Sequence, residues 1–300
     1  MALWVPIAVF AAFVQNLRFM LQKHLKATQL STGGATFARF VFGAPLAVAL
    51  ALTYANWSGQ SLPAPGLEFW AFALTGGLAQ ILATACVVAL FALRNFAVGM
   101  TLKNTETIQT ALVGFLVLGE GLSSTAVLAV FVGFIGLVFL GDKGGQVGSW
   151  RERIDGRALL LGLAAGTLFG ISAVGYRGAS LSLPSGDVLL RASLTLALVT
   201  LSQSAVMSLW LRAREPGEML KVFKAWRVTG LVGLTSMLGS LGWFTAFTLT
   251  TAAHVRVVGQ IELIFSYLAS IFFFREKPSW RENLGLLLLA ASIVLLIISL

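Results

Sequence analysis

The 300-residue chain carries only 12 acidic residues, and four of them stand in two pairs of identical spacing. Glu106 with Glu120 is the first pair, and Glu262 with Glu276 repeats the same interval in the second half of the chain. Glu106 and Glu262 each fall inside an otherwise apolar run, and Lys103 precedes Glu106 by about one helical turn, on the same face of a helix. A charge at mid-bilayer costs at least ~2.5–3.5 kcal/mol on insertion scales, so such groups are paired, hydrated or functional. The chemistry open to them is pairing, proton exchange, or binding a charged or zwitterionic ligand.

Two arginines repeat this theme one span earlier in each half, Arg39 in FARF and Arg191 in LLRA, at an interval slightly shorter than that of the glutamates. A guanidinium fork fits a carboxylate or another anion. Placed this near a span end it can equally snorkel to the headgroups, and Arg191 can pair with Asp187 one turn before it. Gln15, Arg18 and Gln22 form a polar stripe at helical spacing, while Gln80 and Trp243 are lone polar-capable groups in apolar runs. The candidate substrate-binding set is therefore Glu106, Glu262, Lys103, Arg39, Arg191, Gln15, Gln80 and Trp243. If the site were only structural, Lys103 and Glu106 would be a satisfied intrahelical pair and Glu262 would be bridged to an arginine such as Arg39 or Arg191.

Other chemistries have little to stand on. His24 and His254 have no HxxH or HExxH companions, which argues against a metal site or a histidine-based triad. Cys86 is the single cysteine, so no disulfide can form within the chain. The glycines at 76–77, 230/233 and 239/242 follow no strand; they read as close helix approaches rather than a nucleotide cradle. No cofactor is expected. The net charge of +9 lies mostly in short turns between apolar runs, where it sets orientation rather than gripping nucleic acid.

The elements that must hold these residues are membrane helices. Hydrophobic residues make up 57% of the chain, charged residues only 11%, and the mean hydropathy is +0.88. A soluble domain carries about 25% charged residues. Ten apolar segments, near 3–22, 33–54, 67–91, 95–118, 122–140, 157–176, 186–210, 227–249, 252–273 and 282–299, are each long enough to cross a hydrocarbon core of roughly 30 Å. The first lacks the basic flank and cleavage site of a signal peptide. The expected architecture is an all-α polytopic membrane protein, its ten transmembrane helices arranged as two inverted five-helix repeats around a central cavity. The first repeat occupies 1–141, a basic cytoplasmic linker 142–156, and the second repeat 157–300; an odd number of spans per half inverts the second.

At this point the chain resembles the EamA family of the drug/metabolite transporter superfamily, whose members include YddG-type amino-acid exporters. The residues that carry the resemblance are Phe91–Asn95 and Phe115–Glu120, with Phe247–Thr251 and Phe272–Glu276 in the second half. The resemblance implies a central cavity built by spans 1–4 and 6–9, alternating access, and small metabolites, often amino acids, as substrates. Family halves often carry a proline inside the span that ends in the Gly-Glu exit; at the corresponding positions this chain has Thr107 and Leu263. The function expected is a secondary transporter of small metabolites, amino acids among them, in a bacterial inner membrane. The alternatives are a lipid-carrier or cationic-drug translocator, or a membrane subunit without a substrate. The expected partners are a small-molecule substrate and the lipid bilayer.

Fifteen of the 21 Lys and Arg fall in turns after odd-numbered spans, against Arg177 and Arg256 alone on the opposite side. This bias puts the basic turns in the cytoplasm and both termini outside, whereas many ten-helix relatives have both termini inside. An alkaline phosphatase fused to Leu300 should therefore be active in cells; a silent fusion places the C-terminus in the cytoplasm.

Overall fold

Two N-caps at matching positions start the second span of each half. The Ser31 hydroxyl accepts the Gly34 N–H at 2.9 Å, and in the second half the Asp187 carboxylate accepts the Leu190 N–H at 2.8 Å. Each satisfies one of the free donors that every helix start exposes. In this computed structural model the described residues are 3–94, 96–107, 109, 128, 131–132, 135–136, 139, 156–276 and 279–299. Glu120, most of the fifth span, most of the fourth span after Glu106 and the linker up to Gly156 lie outside them.

Among the described residues there are twelve helices and no strand. They are α1 (Trp4–Thr28), α2 (Thr32–Val41), α3 (Gly43–Ser58), α4 (Leu67–Leu90), α5 (Phe96–Asn104), α6 (Gly156–Leu181), α7 (Val188–Arg214), α8 (Glu218–Lys224), α9 (Trp226–Leu249), α10 (Ala252–Gly259), α11 (Glu262–Phe272) and α12 (Trp280–Ser299). Six stretches are long and apolar enough to cross a membrane: α1, α2 with α3, α4, α6, α7 and α9. Helix α8 is an addition. The stretch 212–226, which falls between the expected spans 186–210 and 227–249, folds a short helix whose Glu218 is buried against the start of α2 and accepts the Ser31 N–H. Burial works against the Glu218 carboxylate, but the Ser31 N–H and the Lys221 ammonium at 2.9 Å hold it below its usual range.

The distribution of side chains is that of a chain solvated by lipid. Large apolar groups such as Leu160, Leu209, Phe272 and Leu287 face outward, while Arg18, Gln22, Arg39, Lys103, Glu106 and Glu262 are buried. Exposed tryptophans stand at helix ends (Trp57, Trp226, Trp280), where an amphipathic ring suits the headgroup level.

Helix α4 packs most extensively on α6, and α1 on α9; α7 lies against α2, α3 and α9. Without a hydrophobic drive between helices in lipid, close approach through small residues supplies the packing. At the α4–α6 crossing a Cβ on Gly175 would sit 3.0 Å from both the Gly76 Cα and the Phe72 carbonyl oxygen. At the α1–α9 crossing a Cβ on Gly242 would meet the Ala11 Cβ at 2.8 Å. Gly233 lies against Phe42, the residue at which α2 gives way to α3. Gly230 alone among the glycines read as close approaches faces nothing within 4 Å.

Gly175→Leu should thus force α4 and α6 apart and destabilise the fold by ~1–3 kcal/mol or more. The expected readout is a lower melting temperature in detergent, with Gly230→Leu close to wild type.

Candidate functional site

Two helix breaks build the site. Helix α5 ends at Asn104, Thr105 forms a turn with its N–H on the Leu102 carbonyl at 3.4 Å, and Glu106 resumes helical conformation. Helix α10 ends at Gly259, Gln260 and Ile261 form a turn, and Glu262 opens α11. Each half of the chain therefore sets one glutamate just beyond a break. The proline of the resembling family is not what breaks the chain. The Leu263 N–H, which a proline would lack, donates to the Gln260 carbonyl at 2.9 Å and closes the tight turn. At the first break, Gly166 of α6 leaves room for the backbone: a Cβ there would lie 2.9 Å from the Glu106 nitrogen.

Lys103 joins the two glutamates. Its ammonium is 2.8 Å from Glu262 Oε2 and 3.1 Å from Glu106 Oε2, with all three side chains only 1% exposed. It also donates to Asn104 Oδ1 at 3.3 Å and lies 5.9 and 5.4 Å from the Phe19 and Phe169 ring centroids. The other glutamate oxygens are engaged as well, Glu106 Oε1 by charge alone. Gln15 Nε2 donates to both oxygens of Glu262 at 3.2 Å, and Trp243 Nε1 donates to Gln15 Oε1 at 3.0 Å, which fixes the orientation of the amide. Arg256 Nε is 2.7 Å from Glu106 Oε1, a close charge contact without hydrogen-bond alignment. Arg256 is flanked by the Trp243 and Phe247 rings at 4.8 and 5.2 Å. The chain of contacts runs Arg256–Glu106–Lys103–Glu262–Gln15–Trp243.

Five of the eight candidate residues thus meet: Glu106, Glu262, Lys103, Gln15 and Trp243. Arg39 is buried but separate, donating to Ser236 (3.0 Å), Thr84 (2.8 Å) and Ser240 (3.4 Å) hydroxyls. Gln80 accepts from Gln203 Nε2 at 3.0 Å in the contact of α4 with α7. Arg191 is only half buried; its Nε has no partner, and the Asp187 carboxylate is taken up by Leu190, Tyr54 and Gln60 instead. Aligning the two arginines with each other misplaces them. Counted from the caps Ser31 and Asp187, Arg191 lies about one helical turn nearer its helix start than Arg39, so it stops a turn short of the interior.

Three readings are corrected. Lys103 is more than the intrahelical partner of Glu106, since it also bridges to the other half, and neither Arg39 nor Arg191 pairs with Glu262. Arg256, counted among the loop cations, is a helical residue of the buried cluster. The signal for it was present: Arg256 shortly precedes Glu262 inside an apolar segment. The fully buried Arg18, noted only as part of a stripe, donates to Gln22 at 2.9 Å and leaves its Nη2 without a partner.

The exit glutamate Glu276 ties three elements together. It pairs with Lys23 of α1 and accepts Ser270 Oγ of α11 at 2.6 Å and the Phe96 N–H at the start of α5 at 2.8 Å. Arg275 before it has φ 54°, a left-handed conformation uncommon for a residue with a side chain, and this turn aims the carboxylate inward.

Broken membrane helices that carry buried charge at the break recur in transport proteins. Residues 156–298 match the EamA-like transporter family. The matched stretch takes in α6 to α11 and most of α12, including Arg256, Glu262 and Glu276. No curated protein matches the chain in sequence. Among 28 matching chains of solved structures, one crystal structure is 15% identical, with a TM-score of 0.66 over 99% of this chain and 97% of that one. That likeness concerns the fold.

Removing Lys103 strands Glu262 with only the neutral Gln15. Lys103→Met should destabilise the protein by about 3–5 kcal/mol, the scale for breaking a buried ion pair. A Lys103→Met/Glu262→Gln double variant should recover much of that loss in the same melting assay; an additive result means the pair is not coupled.

Proposed function

We propose that the chain is a membrane transporter of the drug/metabolite transporter type, moving a small polar metabolite by alternating access around the Lys103–Glu106–Glu262 cluster. The observation that carries this reading is the pair of helix breaks that set a carboxylate from each half against one shared ammonium. A purely structural ion pair needs no broken helices. Broken helices expose backbone groups and half-helix ends to a ligand at the membrane midplane, where irregular backbone is tolerated only if it is buried or lines a pathway.

The packing also supports ten spans in two inverted repeats. Under an exchange of the halves, α1 corresponds to α6 and α4 to α9. The two most extensive pairings, α4 with α6 and α1 with α9, then map onto each other. In such a transporter the Lys23–Glu276 contact closes one entrance, and reorientation opens it. Amino acids belong to the substrate class on this reading, since the site presents both signs of charge. The proposed setting is a bacterial inner membrane with the basic turns facing the cytoplasm.

Glu106→Gln and Glu262→Gln keep the size of each side chain and remove its charge. Both variants should remain folded in detergent yet lose solute uptake in proteoliposomes by at least tenfold. Wild-type uptake in both would rule out a part for the cluster in transport.

A further inference from the structure

The charges that the described residues bury between the membrane helices do not balance. Among the described residues this interior holds four cations, Arg18, Arg39, Lys103 and Arg256, against two carboxylates, Glu106 and Glu262. Lys103 and Arg256 account for the carboxylates. Arg18 and Arg39, 1% and 2% exposed, have only neutral hydrogen-bond partners: Gln22 for the first, and Thr84, Ser236 and Ser240 for the second. A guanidinium does not give up its proton in proteins, so neither can become neutral by titration. Isolated buried charge is expensive unless it is paired.

The two surplus guanidiniums lie together. Gln22 Nε2 donates to the Ala35 carbonyl at 2.8 Å, which pins one level of α1 to one level of α2. Arg18 is one turn before Gln22 and Arg39 one turn after Ala35. Because the two helices run in opposite directions, both side chains lie on the facing surfaces one turn deeper in the membrane. Arg39 is close enough to act on Arg18 as a like charge, and the Glu262 carboxylate, already held by Lys103, is near enough to offset it only in part. Arg18 Nη2 carries a free donor there, and three hydroxyls surround Arg39. Guanidinium forks with convergent hydroxyl donors are the chemistry that holds carboxylates and phosphates.

We propose that the transported solute is a small dianion, a dicarboxylate or a phosphate monoester, bound between Arg18 and Arg39. This rests on the transporter reading but departs from the amino-acid class that the Lys103 cluster alone suggests: a neutral amino acid leaves both surplus charges in place, and a cation adds a third. It also accounts for how an empty site resists crossing. Two uncompensated charges oppose reorientation, so the protein exchanges one dianion for another rather than returning empty.

The test uses the purified full-length protein against four probes: succinate, glycerol phosphate, alanine and choline. At least one of the two dianions should raise the melting temperature, with no shift from alanine or choline, and the same dianion should exchange across proteoliposomes that contain it. Arg18→Gln and Arg39→Gln should each weaken its binding by roughly 10- to 100-fold, the range for a charged hydrogen bond; Arg39→Lys, which keeps the charge but not the fork, should retain part of it. Should a glutamine variant fail to fold, the wild-type panel still decides. Binding of alanine or choline in place of the dianions overturns the charge assignment while leaving a transporter. Failure of all four probes to bind or cross overturns both.

Discussion

An ammonium held between two carboxylates, away from water, is the constraint around which this structure is arranged. Each of these charges alone is costly in hydrocarbon, and the pairings that offset the cost require atoms from distant parts of the chain to arrive within about 3 Å of one another. Lys103 and Glu106 come from one half, Glu262 and Arg256 from the other, and Gln15 from the first helix. Much of the packing follows from this. Gly166 makes space for the backbone at Glu106, and Gly259, at the repeat position of Lys103, leaves space filled by the Trp243 ring, whose Cη2 would lie 2.7 Å from a Cβ there. Trp243 in turn orients Gln15. The cluster is symmetric in its carboxylates and asymmetric in its cations.

The same constraint explains why helices break where they do. A continuous α-helix keeps its backbone groups bonded internally, which is its advantage in lipid. The turns at Thr105 and at Gln260–Ile261 give up part of that regularity, yet the freed groups find tight-turn partners such as Leu102 and Gln260. Each carboxylate then sits at a break, and Glu262 stands in the first turn of α11, where the positive end of a helix dipole favours an anion.

How much of this could be read from the sequence depends on the kind of signal. The apolar runs are strong signals, and six of the ten expected spans are found as long apolar helices among the described residues. The repeated glutamates were legible because acids are so scarce in the chain. Gln15 was legible as part of a helical stripe. What the spacing could not reveal is three-dimensional adjacency: that Lys103 reaches across to Glu262, that Arg256 enters the cluster, and that Arg191 falls a turn short of the depth of Arg39. The two arginines do not stand at equivalent repeat positions; the caps, Ser31 and Asp187, keep the same register as the glutamates. Helix α8 escaped notice because a short segment rich in charge looks like a loop, and its stability comes from a tertiary contact of Glu218 with Ser31 rather than from its own pattern.

The two sets of buried charge divide the work that a membrane site must do. Lys103, Arg256 and the two glutamates neutralise one another and need no ligand, so they can persist while the protein stands empty. Arg18 and Arg39 have only amides and hydroxyls as hydrogen-bond partners, and the one carboxylate near Arg18, Glu262, is already bonded to Lys103. A fold that satisfies four charges so closely, and leaves two guanidiniums facing each other one turn from the Gln22–Ala35 contact, retains an uncompensated field at a defined place. Among the described residues no carboxylate accepts a hydrogen bond from either guanidinium, so a negatively charged group that cancels this field would make occupancy and conformational exchange parts of the same physical problem.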